Sequence, residues 1–324
     1  MIANSIPDWA PDAPPDLSSF AALLPGAPLV LPGIAVALAG LYAAGAISLW
    51  VSGRRWSIGR TALFLFGCAL TLLVTATGLE GYGYAMFSVF MFQQLTLMMI
   101  VPVFLVLGAP GSLLLRSVPH RFGGQWVQRA ALSLLRSRVS RFLIHPGFAL
   151  PLFLFSFYGL YLGGLADIFL ATDWGHTALE ILFLVAGVLF AVPILAVDPL
   201  PRRQTYVGRL LDLFGEMALH AFFGVIVMMA ATPLVKAFAH PPASWAVDPA
   251  MDQQIAGALA WSYGEFPNLI LMLILFHAWF RADTARSRFA DEKADREGTP
   301  DLDAYNVYLS SLAAHQDRNG DGKS

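Results

Sequence analysis

The chain has 324 residues, of which 57% are hydrophobic and 13% charged, whereas a soluble domain carries about 25% charged residues. That balance excludes an ordinary soluble domain and points to the membrane. With 20 basic against 22 acidic side chains there is no charge excess to attract nucleic acid, and no nucleic acid partner is expected.

The first 27 residues open with "MIANSIPDWAPDAPPD", which is acidic and proline-rich and has no basic stretch ahead of an apolar core. They read as a short, solvent-exposed extracytoplasmic tail without a cleaved signal peptide. Seven apolar segments follow near 28–51, 59–79, 86–108, 148–168, 177–197, 209–234 and 255–280, each meeting the length of roughly 20 residues that a crossing requires. The predicted fold is all-α, a polytopic membrane helical bundle of seven transmembrane helices over 28–281, with a cytoplasmic tail over 282–324. The single cysteine, Cys68, lies in the second segment, which rules out an internal disulfide or a CxxC metal site and leaves it as a small buried apolar residue.

The third segment, "SVFMFQQLTLMMIVPVFLVLGAP", carries Gln93 and Gln94 at its middle. After it, residues 111–146 are interrupted by Arg116, Pro119, Arg121, Gly123 and Gly124 and do not span. Inside this loop Val127, Ala131, Leu134, Leu135, Val139 and Phe142 recur at helical spacing, opposite Arg129, Arg136, Arg138 and Arg141. That pattern predicts one basic amphipathic helix, suited to membrane lipids at the inner surface or, as an alternative, to a docking partner. Apart from Lys236, every basic residue falls on one side of the odd-even alternation of the spans, which puts the N-terminus outside and the C-terminus in the cytoplasm.

The outer loop "KAFAHPPASWAVDPAMDQQ" predicts an ordered turn with Trp245 at the membrane interface. In the tail, Leu302, Tyr305, Leu309 and Leu312 predict a short helix. The closing "DRNGDGKS" starts like a calcium loop through Asp317, Asn319, Asp321 and Gly322, but stops before the bidentate glutamate and reads as a polar end.

Ionisable side chains inside spans are costly and are functional candidates by default. His176 and Glu180 lie one turn apart in the fifth segment, Glu216 and His220 repeat the spacing in the sixth, and Glu265 precedes Pro267 in the seventh. With Gln93, Gln94 and Tyr158 they are expected to converge on one buried polar centre, which would make the glutamines tolerable in lipid. Three roles stay open for it: a packing network, a metal site in which imidazole, carboxylate and the thioethers of Met91, Met98 and Met99 are available, and a proton or ion path. Met228 and Met229 read as gap-filling side chains. No GxSxG, HExxH, GxxxxGK[ST] or strand-to-helix GxGxxG pattern occurs, and no nucleophile is paired with a base, so an enzyme is not expected.

The motifs, in this order, resemble the CtaG-type cytochrome c oxidase assembly factors. The stretch "FSVFMFQQLTLMMIVPVFLVLGAP" is similar to that family's third helix. "IHPGFALPLFLFSFYGLYLGGLADIF", "GHTALEILFLVAGVLF", "DPLPRR" (Asp198 to Arg203), "HAFFG" from His220, "DQQIAGALAWSYGEFP" from Asp252 and "AYNVYLSSLA" continue the likeness. The resemblance implies a multi-pass protein of the bacterial cell membrane that helps build a haem-copper oxidase, with oxidase subunits as partners and copper as the ion handled. It carries over His176, His220 and Asp198. It departs where the family's third-helix signature reads HMxQH: Phe90 and Gln94 stand in place of the two histidines, while Met91 and Gln93 are kept. The metal residues expected on this basis are His176, Glu180, His220, Met91 and Met98, and a transporter of protons or metal ions is the alternative role.

Overall fold

The structure, a computed structural model, describes residues 7–118, 124–172, 174–200, 204–297 and 303–312. It is all-helical, with no β-strand among the described residues. Two compact units are present, Met1–Leu273 and Ile274–Ser324.

Within the first unit, α1 (Leu17–Ala21) precedes the long helices α2 (Val30–Val51) and α3 (Ile58–Thr75). A short helix, α4 (Gly78–Gly83), leads into α5 (Phe87–Leu95), which passes through a wider π turn, Thr96–Ile100, into α6 (Val101–Leu107) and α7 (Pro110–Ser117). The π turn has a local cause: Pro102 has no N–H to return to the carbonyl of Met98, so the ladder loosens one turn earlier. Next come α8 (Gly124–Arg136), α9 (Arg138–Leu143), α10 (Pro146–Phe155), a second π turn at Tyr158–Leu162, and α11 (Leu165–Leu170). The unit ends with α12 (Gly175–Leu195), α13 (Tyr206–Met229), α14 (Pro249–Ser262) and the start of α15 (Glu265–Glu297).

Among the described residues six helices are long and apolar enough to cross a membrane: Val30–Val51, Ile58–Thr75, Phe87–Ser117, Gly175–Leu195, Tyr206–Met229 and Pro249–Phe289. The expected fourth span, 148–168, is not one helix. It is divided into α10, the π turn and α11, with Gly163 and Gly164 between the last two and Gly164 in the left-handed region at φ 69°. The seventh is interrupted at Tyr263 and Gly264, where Pro267 has no N–H for the carbonyl of Tyr263.

Three further expectations change. The basic loop folds as two helices rather than one, because the Ser137 hydroxyl accepts from the Ser140 N–H at 3.0 Å and starts α9 afresh. Trp126, Leu134, Val139 and Phe142 are exposed there, and Arg129 lies over the Trp126 ring at 5.7 Å. The side chains of Val127, Ala131, Leu135 and Arg136 lie outside the described residues, as do Pro119 and Arg121. The N-terminal segment is not a free tail. The carbonyl of Ala13 accepts from the Tyr82 hydroxyl at 2.9 Å, that of Pro11 accepts from the Trp245 indole at 3.1 Å, and Trp9 meets Tyr84 edge-on at 5.2 Å. Trp245 is thereby buried within the protein rather than placed at an interface. Prolines make this possible, since an extended chain that lacks N–H donors still offers its carbonyls.

Cys68 is free and buried, in a core with Tyr42, Phe64, Leu105 and Leu113. In the second unit a helix covers 303–312 and holds Tyr305, Leu309 and Leu312, all exposed. Leu302 and the calcium-like residues Asp317, Asn319, Asp321 and Gly322 lie outside the described residues.

Where helices begin inside the apolar body, their leading N–H groups are satisfied by carboxylates from far along the chain. Asp252 of α14 accepts from the N–H of Phe87 (2.6 Å) and of Ser88 (3.3 Å) and from the Ser88 hydroxyl, capping α5. Asp198 accepts from the N–H of Gly111 (2.8 Å) and of Ser112 (2.7 Å), capping α7. Replacing Asp252 by alanine leaves the first donors of α5 without partners in a buried place. We expect Asp252→Ala to cost about 2–3 kcal/mol, as for a bond to a charged group, read as a lowered unfolding temperature in detergent; an unchanged temperature would show that the cap is dispensable.

Candidate functional site

Helix α4 positions the side chain that completes the site. Its Glu80 is 1% exposed and points at His176 and Glu180, which lie one turn apart at the start of α12. The distance from His176 Nε2 to Glu80 Oε1 is 3.7 Å, and to Glu180 Oε1 3.9 Å. One ligand atom from each of the three lies within 4.8 Å of the other two. Gln93 orients the group by donating from Nε2 both to the Val74 carbonyl and to Glu80 Oε2, each at 2.8 Å. The Tyr84 ring stacks on the His176 imidazole at 4.0 Å and 9°, and Phe90 packs edge-on at 5.1 Å. Burial pushes the Glu80 carboxyl above its ordinary range, while the hydrogen bond from Gln93 acts the other way. Glu80 Oε1, Glu180 Oε1 and both ring nitrogens of His176 are buried without a hydrogen-bond partner.

A second polar group sits at the break between α14 and α15. His220 Nδ1 lies 3.4 Å from Glu265 Oε1, and Asn268 donates to Glu216 Oε2 at 2.5 Å. His220 is fully buried, whereas the Glu265 side chain is 21% exposed. The missing side chain of Gly264 admits the ring: a Cβ there would lie 2.2 Å from His220 Cε1 and 3.0 Å from the Met99 sulfur.

Between the groups lies Gln94, whose amide donates to the Ser156 carbonyl at 2.9 Å and whose oxygen accepts from the Tyr161 hydroxyl. Both glutamines are therefore tied to neighbouring segments, Gln94 through both its amide atoms and Gln93 through its Nε2 donors.

A family model described as cytochrome c oxidase caa3 assembly factor (Caa3_CtaG) matches residues 40–282. The chain belongs to this family. It is similar to uncharacterized proteins of Mycobacterium bovis and Mycobacterium tuberculosis, 39% identical over 282 residues, which is 86% of this chain and 43% of each of theirs. A further uncharacterized protein, from Mycobacterium leprae, is 37% identical over 276 residues, 84% of this chain and 42% of its own. The chain thus spans less than half the length of these curated relatives. No solved structure matches it.

In this assembly-factor chain the residues expected to form one centre are split. His176 and Glu180 meet Glu80 and Gln93, while Glu216, His220 and Glu265 meet at the helix break. Among the described residues no hydrogen bond or ion pair joins the groups. Gln93 and Met99, one at each, are six residues apart on the third span, roughly 9 Å at 1.5 Å per residue. Tyr158 belongs to neither. It is half-buried in a π turn and donates to the Leu219 carbonyl at 2.5 Å; the buried tyrosine at Gln94 is Tyr161. Met91 and Met98 are buried. Met98 lines a small cavity with Phe153, Phe190 and Asn268, and Met99 is the thioether beside His220. Glu80 has no counterpart in the sequence reading because it lies between spans, where a charge carries no penalty signal; its only mark is an acid among glycines in "GLEGYG".

Close packing makes this site sensitive to a single methyl group. A Cβ on Gly83 would fall 2.0 Å from Gln93 Oε1, so Gly83→Ala must displace the amide that holds Glu80. We expect a loss of about 1–3 kcal/mol, as for overpacking, seen in thermal unfolding of the purified protein; an unaltered midpoint would show that Gln93 is free to move.

Proposed function

We propose that this chain is an integral membrane assembly factor for a haem-copper cytochrome c oxidase, acting on oxidase subunits in the bacterial cell membrane and handling the copper they receive, without being an enzyme. Family membership over residues 40–282 supports the oxidase role. The observation that carries the metal part is the buried trio of Glu80, His176 and Glu180, whose facing atoms have no partners.

The same trio supports seven crossings. Glu80 lies before the third span and His176 after residues 118–174, yet they are 3.7 Å apart. On this reading the chain returns across the membrane between them by way of the broken segment 146–170. Asp198, reached after α12, again contacts the far end of the third span at Gly111 and Ser112. With the basic loops inside, the same reading has the N-terminus and the trio outside and the C-terminus in the cytoplasm. A phosphatase reporter active only when exported should be active when fused after His240 and silent after Arg141; the reverse pattern would overturn the orientation.

A second reading is favoured by the graded exposure of the other group. Glu265 is partly exposed, while His220 beside it and Glu216 one turn away on the same helix are fully buried, an arrangement that suits proton or metal-ion movement. Deletion of the gene separates the two. The assembly role predicts loss of haem a absorbance and oxidase activity, restored by the wild-type gene. Oxidase at normal levels in the deletion strain would remove that role and leave the transport reading.

A further inference from the structure

Metal-ligand side chains in a dry interior select an ion by their number, spacing and softness. Tetrahedral ligands held at about 2.1 Å from an ion lie about 3.4 Å from one another. Two of the separations here, 3.7 Å and 3.9 Å from His176 Nε2 to the carboxylate oxygens, are close to that spacing, and the third lies within 4.8 Å. Glu80 Oε1, Glu180 Oε1 and His176 Nε2 are all among the buried atoms without hydrogen-bond partners. Buried polar atoms without partners each cost about 1–3 kcal/mol, and a single cation would satisfy all three.

Charge leads to the same place. Among the described residues neither Glu80 nor Glu180 forms an ion pair with lysine or arginine; their ionic neighbour is His176. A cation with two charges offsets both carboxylates at once. The donors are one imidazole and two carboxylates, and the named neighbours, Gln93, Tyr84 and Phe90, bring no sulfur. Cys68 packs in a different core, with Tyr42 and Phe64. Cuprous ion favours thiolate and thioether, whereas nitrogen and oxygen donors suit divalent first-row ions, with cupric ion bound more tightly than zinc.

We infer that Glu80, His176 and Glu180 form a binding site for one divalent first-row transition-metal ion, with Gln93 orienting Glu80 and cuprous ion disfavoured. As an account of how the cargo is held it deepens the assembly reading and rests on it; as an assignment of donors it stands on purified protein alone. Gln93 acts as a positioning residue, since its amide fixes the second oxygen of Glu80 and leaves the first for the ion.

The test uses the full chain in detergent, stripped with a chelator and titrated with cupric ion, with zinc, and with cuprous ion held by a competing chelator. Wild type should retain one divalent ion per chain, its cupric spectrum should show coupling to a single nitrogen, and zinc should raise its unfolding temperature. Glu80→Gln and Glu180→Gln keep the shape of the side chain and should each weaken binding by at least about 100-fold while unfolding at the wild-type temperature without metal. His240→Ala, in the outer loop, should bind as wild type does. Near-zero divalent metal in wild type, equal retention in wild type and both glutamine variants, or retention of cuprous ion with exclusion of the divalent ions would overturn the assignment. Oxidase content in a deletion strain is blind to the donor set, and these titrations are blind to oxidase content, so the two proposals fail separately.

Discussion

One amide holds the outer edge of this bundle in register. Gln93 sits in the third span and spends its two N–H donors on the Val74 carbonyl at the end of α3 and on Glu80 in the short helix α4. Gln93 and Glu80 are both buried, so each bond keeps more of its strength than it would at a surface. The consequence is positional: α4 is pinned against α5, and its carboxylate is aimed at the first turn of α12. Without that pin Glu80 would be an ordinary loop acid, and His176 with Glu180 would face only aromatic rings.

The cost of leaving buried helix ends and polar groups unpaired accounts for the other long-range ties. Prolines at 102 and 267 break helices and free carbonyls where the fold needs a bend. Asp198 and Asp252 serve helix starts more than eighty residues away in sequence. The proline-rich N-terminal segment offers carbonyls to Tyr82 and Trp245, and so covers the outer side of α4. Trp9, Tyr84 and His176 then form a chain of ring contacts from that cover to the site.

Much of this architecture was legible from hydropathy alone, because a span must be apolar over most of its length and Val30–Val51, Gly175–Leu195 and Tyr206–Met229 are. The breaks at 156–164 and at Tyr263 were harder to read, since glycine and proline in apolar sequence are also tolerated in straight spans. The candidate residues His176, Glu180, His220 and Glu265 were found by a sound rule, that ions in lipid are there for a reason. Their division into two groups was not, because depth along a helix does not say which neighbour a side chain faces. Glu80 escaped the rule altogether, and so did the folding-in of residues 7–27, whose acidic composition resembles a solvated tail.

The claim at the centre of this account is that one carboxylate from α4 and a carboxylate and an imidazole from α12 close around a single ion. X-ray absorption at the metal edge of the copper- or zinc-loaded protein reads that shell directly. The account predicts only oxygen and nitrogen scatterers, with one imidazole, and a change in that shell when Glu80 is replaced by glutamine. Sulfur in the shell, or a spectrum indifferent to Glu80, would contradict it.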